Sequence, residues 1–131
     1  MLESWNMKKL LAIVVLGLLL SEISYAGINV GSYLKARENK NEKVNQFIDD
    51  NIMGIGTGIF WSNVSIKSGL GKANGEKPMY CSPPKMSLTK ENYINFLDEE
   101  IKFQKNLGMD NDKTDIGMMI IFHMRRIFPC D

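Results

Sequence analysis

The chain of 131 residues contains only two cysteines, Cys81 and Cys130, and their chemical state limits the folds that it can adopt. In an oxidising compartment, an even number of cysteines predicts a disulfide. A bond between these two would close a loop of about 50 residues and contribute about 4 kcal/mol to stability. The alternative is a pair of metal ligands, but zinc needs four ligands and the chain has one histidine. We therefore expect a Cys81–Cys130 disulfide.

The N-terminus predicts that the chain reaches such a compartment. A basic start at residues 7–9 precedes an uncharged, mostly apolar run at residues 10–20, and small residues follow, ending at Ala26. This is the pattern of a secretory signal peptide, and the run is shorter than the roughly 20 apolar residues of a membrane span. We expect cleavage after Ala26 and a periplasmic mature protein, with translation starting at Met1 or Met7. The alternative is an uncleaved membrane anchor.

After a signal peptide at residues 1–26, residues 27–131 are long enough for one small domain. Positive and negative residues nearly balance over the sequence, with 16 Lys and Arg against 15 Asp and Glu. This balance gives no basic field that would attract nucleic acid or an anionic membrane. We expect the mature chain to recognise a partner by shape rather than by net charge.

Apolar positions in residues 44–59 recur at steps of three and four, which predicts an amphipathic helix. The polar residues 33–41 are interpreted as a loose lead-in or as the exposed first turns of a helix. Gly, Ser, Asn and Lys dominate residues 62–80, so we expect a loop there.

Two further helices are predicted in the C-terminal half of the chain. The second begins after a cap at Ser87 or Thr89, and the third begins after a cap at Thr114 or Asp115. Pro129 ends the third helix. The sequence thus predicts an all-α fold, a small helical domain of three to five helices held by one disulfide.

Three glycines alternate in residues 53–60, MGIGTGIF, and raise the question of a phosphate-binding loop. A dinucleotide fingerprint requires G-x-G-x-x-G between a strand and a helix, whereas this spacing is G-x-G-x-G after a helical pattern. Gly54 and Gly58 lie four residues apart, on one face of a helix, where they would let a neighbouring element approach closely. We expect close packing at this face, and no cofactor site is predicted.

No set of residues predicts an enzyme. The single histidine, His123, lies in an apolar helix, and both cysteines are expected to be oxidised, so a structural or surface role is expected for it. The carboxylates at residues 98–100 point in different directions on one helix and are expected on a solvated face. Met118, Met119 and Met124 occur at helical spacing among Ile and Phe, so we expect core positions rather than a soft-metal site.

The segment YCSPPKMSLTKENYINFLDEEI, followed by DIGMMIIFHMRRIFPC, resembles the Rap/Tai immunity proteins of type VI secretion systems. That family shows an FC-x-P segment, then a helix, then a helix ending in FPC, and residues 80–83 and 128–130 match these pieces. The resemblance covers about residues 44–130, including the upstream helix FIDDNIMGIGTGIFW. Many members carry a cysteine in the first helix and this chain has none there, so only the disulfide between the second and third helices carries over.

The resemblance implies a periplasmic helical protein, often a homodimer, that binds a peptidoglycan amidase effector and blocks its active-site cleft. In such members a loop between helices inserts into the enzyme, and we assign this role to residues 106–114, with residues 62–80 as the second candidate. Polar side chains of the first loop would hydrogen-bond around a catalytic Cys/His pair, and apolar ones would supply contact area. The predicted partner-binding residues are Leu107, Met109, Asp110, Asn111 and Asp112.

The alternative function is that of a periplasmic acid-stress chaperone of the Hde type. Those proteins are also small, exported and helical, and are held by one disulfide between cysteines of similar spacing. A chaperone should expose apolar surface at low pH, as carboxylates become protonated. An inhibitor should stay folded and bind one partner, so an acid titration separates the two functions.

Overall fold

The computed structural model describes residues 2–23 and 27–131. Within these ranges the chain is helical and forms no β-strand. The described helices are α1 (Leu2–Ile23), α2 (Val30–Asn39), α3 (Glu42–Lys67), α4 (Gly69–Ala73), α5 (Lys90–Asn106) and α6 (Ile116–Ile127). The predicted all-α class is confirmed, and α2 to α6 form the part of the chain that follows residue 26.

Helix α1 covers the segment that the sequence predicts to be a signal peptide. Its described side chains, at residues 6–16, are exposed, and none of them belongs to the hydrophobic core. Among the described residues, no helix is both long and apolar enough to cross a membrane. The predicted cleavage site after Ala26 lies outside the described residues, and cleavage stays a prediction.

Of the two alternatives for residues 33–41, the structure shows the helical one, because residues 33–39 belong to helix α2. The side chain of Asn29 caps its first turn, and Val30 and Tyr33 are buried in the core. The Tyr33 hydroxyl donates a hydrogen bond of 2.5 Å to the carboxylate of Asp98 on α5. A mostly polar helix is therefore held by two buried side chains, by the bond from Tyr33 to α5, and by Arg37, which donates to Asn45 and Asp49 on α3.

Helix α3 begins after a cap at Asn41 and continues through all three glycines of the alternating motif. The predicted loop is wrong for residues 62–67, which extend α3, and for the short helix α4 that follows. The buried Asn63 explains the difference, because its amide donates to the Tyr80 carbonyl at 3.0 Å and accepts from the Met79 N–H at 2.8 Å. A polar residue typical of loops is thus satisfied inside the fold.

The other two helices begin at caps that the sequence predicts. Thr89 and Asn92 form a capping box at the start of α5, in which each side chain bonds the backbone N–H of the other residue. The carboxylate of Asp115 accepts from the Gly117 N–H at 2.7 Å and caps α6. Both bonds satisfy N–H groups that have no partner within the helix.

The predicted disulfide is confirmed. Cys81 and Cys130 are bonded, with their Cα atoms 5.0 Å apart, and the Cys81 N–H donates to the Phe128 carbonyl at 2.8 Å. The bond therefore joins the segment before α5 to the residues after α6, so the ends of the two most closely packed helices are held together.

Helices α3, α5 and α6 enclose the hydrophobic core, and α2 covers one side of it. Among the side chains that the structure describes, the buried apolar ones lie between residues 30 and 124, and none of them belongs to α1. These side chains are Val30, Tyr33, Ile48, Ile52, Ile59, Tyr80, Tyr93, Leu97, Ile101, Ile116, Met119, Ile120 and Met124.

Candidate partner-binding site

Residues 107–115, here named the α5–α6 loop, begin with a turn that fixes the backbone. Gly108 has a φ of 77°, a left-handed conformation that glycine adopts at little cost. Its N–H donates to the Lys105 carbonyl at 2.9 Å, and the Met109 N–H donates to the Gln104 carbonyl at 3.1 Å. These two bonds form a Schellman motif, which ends α5 and satisfies its last carbonyl groups.

The α5–α6 loop is also bonded to the start of α2. The N–H groups of Val30 and Gly31 donate to the carbonyls of Thr114 and Asp112, each at 2.9 Å. Because the first N–H groups of a helix lack partners within it, the loop supplies acceptors that α2 needs. A Cβ on Gly31 would lie 3.2 Å from the Asp112 carbonyl oxygen, so the glycine permits this close approach.

Two apolar side chains project from this fixed loop. Leu107 is 62% exposed and Met109 is 53% exposed. Asp110 and Asp112 are exposed as well, and the Asp110 carboxylate accepts from the Asp112 N–H at 3.2 Å. The structure therefore brings four of the five predicted partner-binding residues together at the surface of one ordered loop.

The fifth residue, Asn111, lies inside the fold. It is only 2% exposed, and neither atom of its side-chain amide has a hydrogen-bond partner within the described residues. The expectation that its side chain reaches the catalytic pair of a partner is corrected on this point. Asn111 therefore lies inward, where it was expected to supply contact at the surface.

The sequence does not predict that Val30 and Gly31 support the α5–α6 loop. The only local signal is Asn29, a residue typical of helix caps, placed directly before an apolar residue. No pattern in the sequence pairs the start of α2 with a loop that lies far along the chain.

A second polar group lies between α5 and α6, around Glu100. This residue is 3% exposed, and its carboxylate accepts from the Gln104 amide at 3.1 Å and from Arg126 Nη2 at 2.9 Å. The predicted solvated face at residues 98–100 is wrong for Glu100, because α6 places a cation over it, whereas Asp98 and Glu99 are exposed. Removing the partly exposed Arg126 would leave the buried carboxylate of Glu100 without its cation, which is destabilising.

His123 lies beside this pair, is 1% exposed and stacks on the Phe96 ring. Arg126 Nη2 lies 3.1 Å from Nδ1. Because a guanidinium only donates, Nδ1 accepts and the proton is assigned to Nε2. Nε2 lies 3.4 Å from a Glu99 carboxylate oxygen, within ion-pair range but without hydrogen-bond geometry. Burial, and then the charge of Arg126, lowers the pKa of His123 below its ordinary value of 6.5. The expected structural role of His123 agrees with this setting.

Gly56 is the glycine that allows close packing, and the prediction for Gly54 and Gly58 is wrong. A Cβ on Gly56 would lie 2.5 Å from two ring carbons of Tyr93. A Cβ on Gly54 or Gly58 would meet no atom within 4 Å. The pattern therefore identifies a close approach of helices but assigns it to the wrong face of α3.

The outer face of α3 carries Phe47, Gly54, Gly58 and Trp61, all exposed, and the exposed carboxylate of Asp50 lies between Phe47 and Gly54. Phe47 is 64% exposed and Trp61 is 62% exposed. The four residues follow one another at steps of seven, four and three, so they line one stripe about 21 Å long. With two exposed aromatic side chains, this face is a second surface at which another protein can be bound.

No group of three or more His, Cys, Asp or Glu side chains is placed to hold a metal ion in the part of the chain that the structure describes. Met119 and Met124 are fully buried, as predicted, whereas Met118 is 44% exposed on α6. The methionines of α6 therefore do not converge on one point.

No protein-family model matches the chain, and neither a curated protein nor a solved structure matches it. The resemblance to Rap/Tai immunity proteins stays a prediction that rests on the sequence motifs.

Proposed function

We propose that this chain is a periplasmic immunity protein that binds a type VI secreted peptidoglycan amidase and blocks its active-site cleft. The observation that carries the proposal is the α5–α6 loop, where Leu107 and Met109 are exposed on a backbone fixed at both ends. A loop that is ordered before binding loses little conformational entropy when it binds. The sequence resemblance adds the class of partner.

The chemistry of the loop fits an enzyme cleft. Leu107 and Met109 would enter the cleft, and fully burying such side chains contributes about 1.5–3 kcal/mol each. Asp110 and Asp112 would lie at the rim and accept hydrogen bonds from the enzyme. On this account most of the affinity comes from the two apolar side chains, which is the usual distribution at protein interfaces.

The experiment is an inhibition assay with residues 27–131, isolated peptidoglycan and a panel of purified type VI amidase effectors. We expect one effector to be inhibited at a ratio of one to one. Leu107→Asp combined with Met109→Asp should weaken that inhibition by about 100-fold or more. Circular dichroism verifies that each variant stays folded.

Phe47→Asp is the matched control, because Phe47 is as exposed as Leu107 but lies on the outer face of α3. We expect it to inhibit like the unchanged protein. Loss of inhibition in this variant and not in the loop variant would move the contact to α3. Sedimentation of Phe47→Asp and of the unchanged protein compares their oligomeric states. The comparison tests whether the outer face of α3 forms the homodimer that the resemblance implies.

Failure to inhibit any effector would refute the proposed function. The Hde-type chaperone is then the candidate that the structure offers a reason to test. His123 is buried with a lowered pKa, so acid favours the unfolded state, in which this group binds a proton more readily. Binding of a hydrophobic dye on acidification, with protection of unrelated proteins from aggregation, would establish that function.

A further inference from the structure

Gly27, the predicted N-terminal residue after cleavage, lies against the carboxylate of Asp115. A Cβ on Gly27 would lie 2.2 Å from Oδ2 of Asp115 and 3.5 Å from its Cγ, so a side chain there would displace the carboxylate. The Ile28 carbonyl accepts from the Ile116 N–H at 3.0 Å, and Asn29 and Asp115 form an isolated antiparallel bridge. The residues before α2 therefore run alongside the start of α6.

The two carboxylate oxygens of Asp115 have different surroundings. Oδ1 accepts from the Gly117 N–H at 2.7 Å and caps α6, whereas Oδ2 faces Gly27. The backbone nitrogen of a residue lies about 2.5 Å from the position of its Cβ. With Oδ2 at 2.2 Å from that position, the nitrogen of Gly27 lies within about 4.7 Å of Oδ2.

Cleavage would change the charge of this nitrogen. In the uncleaved chain it is an uncharged amide. Hydrolysis of the bond between Ala26 and Gly27 by a signal peptidase consumes one water molecule, leaves a carboxylate on Ala26 and leaves an amine on Gly27. A terminal amine has an ordinary pKa of about 7.7–8.0, so most of it is protonated and positively charged at pH 7.

We infer that maturation creates an ion pair between the α-ammonium of Gly27 and the carboxylate of Asp115, and that this pair secures the α5–α6 loop. The inference rests on the proposed export and cleavage, and it is independent of which partner the loop binds. The other charged side chains of the loop, Asp110, Asp112 and Lys113, are exposed, and Lys113 is the one cation among them. The first turn of α2 contains no acidic residue, so Asp115 is the carboxylate that the ammonium meets.

The ion pair affects the α5–α6 loop because the backbone that follows Gly27 is hydrogen-bonded to that loop. Ile28, Val30 and Gly31 form three main-chain hydrogen bonds with residues 112–116. Holding Gly27 in place restricts the motion of this segment, and the segment in turn holds the α5–α6 loop. Since Asp115 is exposed, the effect is that of a surface ion pair and weakens with salt.

The test uses residues 27–131, a range that contains the whole described core, with Gly27 as the free N-terminal residue. An NMR titration gives the pKa of its α-amino group, which we expect to be raised by about 0.2–0.7 above the ordinary value. Asp115→Asn should abolish the rise without removing the cap, because Asn caps a helix as well as Asp. Asp112→Asn is the matched control, in which most of the rise in the pKa of the α-amino group should remain.

Amide hydrogen exchange of Val30 and Gly31 gives the second measurement. We expect exchange to be faster by about 1.5- to 5-fold in Nα-acetylated protein and in Asp115→Asn than in the free form. An ordinary α-amino pKa, or a raised one that survives Asp115→Asn, would overturn the ion pair. Equal exchange in all forms would overturn the effect on the loop. An exported protein whose intact mass shows another N-terminus would overturn the role of maturation, whatever the inhibition assay gives.

Discussion

The three glycines of α3 allow a direct test of the packing described at Gly56. Gly54→Ala and Gly58→Ala add a methyl group where no atom lies within 4 Å. Alanine is favoured over glycine in a helix by about 0.8–1.0 kcal/mol, so each change should stabilise the fold by about that amount. Gly56→Ala makes the same chemical change against the ring of Tyr93, which is 3% exposed.

The cost at Gly56 follows from the atoms that the new methyl group would meet. Three ring carbons of Tyr93 lie at 2.5–2.6 Å from it, and a buried ring cannot move aside as the end of a flexible chain does. Helices α3 and α5 would have to separate, and overpacking of this kind costs about 1–3 kcal/mol. Relative to Gly54→Ala, we expect Gly56→Ala to be less stable by about 1–3 kcal/mol, because both variants gain equally in helix propensity.

Urea unfolding of the three variants, followed by circular dichroism, measures this difference. A difference of 1 kcal/mol corresponds to about 4–8 °C in Tm for a domain of this size, so thermal unfolding is a second assay. The m-values should stay equal, because the folded and unfolded states expose the same surface. If Gly56→Ala proved as stable as Gly54→Ala, the close contact between α3 and the Tyr93 ring would be refuted.

Three further predictions concern the disulfide and two buried titratable groups. Replacing Cys81 and Cys130 by serine should lower the free energy of unfolding by about 4 kcal/mol, as measured by urea titration against the oxidised protein. Burial and the bond to Asp98 raise the pKa of Tyr33 to about 12. Stability should therefore be full below pH 10 and fall by about 3 kcal/mol as the pH rises through 12, a loss that Tyr33→Phe should remove. The pKa of His123 is lowered by burial, so stability should be full above pH 6.5 and fall as the pH drops below it. Urea midpoints between pH 7.5 and pH 5 should show this loss in the unchanged protein and less of it in His123→Gln.

The helix starts at Thr89 and Asp115 could be predicted because a cap is a local interaction. The side chain and the N–H that it bonds lie within three residues of each other, so the information is contained in a short stretch of sequence. The disulfide could be predicted for a different reason, since two cysteines allow only one intramolecular pairing.

The end of α3 could not be predicted in the same way. Asn63 is a residue typical of loops, and its partners, Met79 and Tyr80, lie 16 and 17 residues further along the chain. Only the folded chain brings these backbone groups to the amide, so local composition gives the wrong answer. The same reason applies to Gly56, because helical periodicity cannot show where the ring of Tyr93 will lie.

The candidate site contains residues whose position the sequence predicts and residues whose position it does not. The exposure of Leu107 and Met109 follows from a polar turn that contains a glycine, which the sequence reveals. The inward position of Asn111 and the bonds from Val30 and Gly31 depend on where α2 packs, which the sequence does not reveal. Surface residues of the loop were therefore easier to identify than the residues that hold it.

The bonds that hold the α5–α6 loop have a consequence for how its recognition can diverge. They join main-chain atoms, with N–H groups of α2 donating to the carbonyls of Thr114 and Asp112. Main-chain bonds do not depend on the side chains at those positions, and Leu107 and Met109 add little to the core because they are exposed. These two positions can therefore be exchanged while the backbone path is kept, which, under the proposed function, makes the loop a stable support on which specificity for a new partner could be selected.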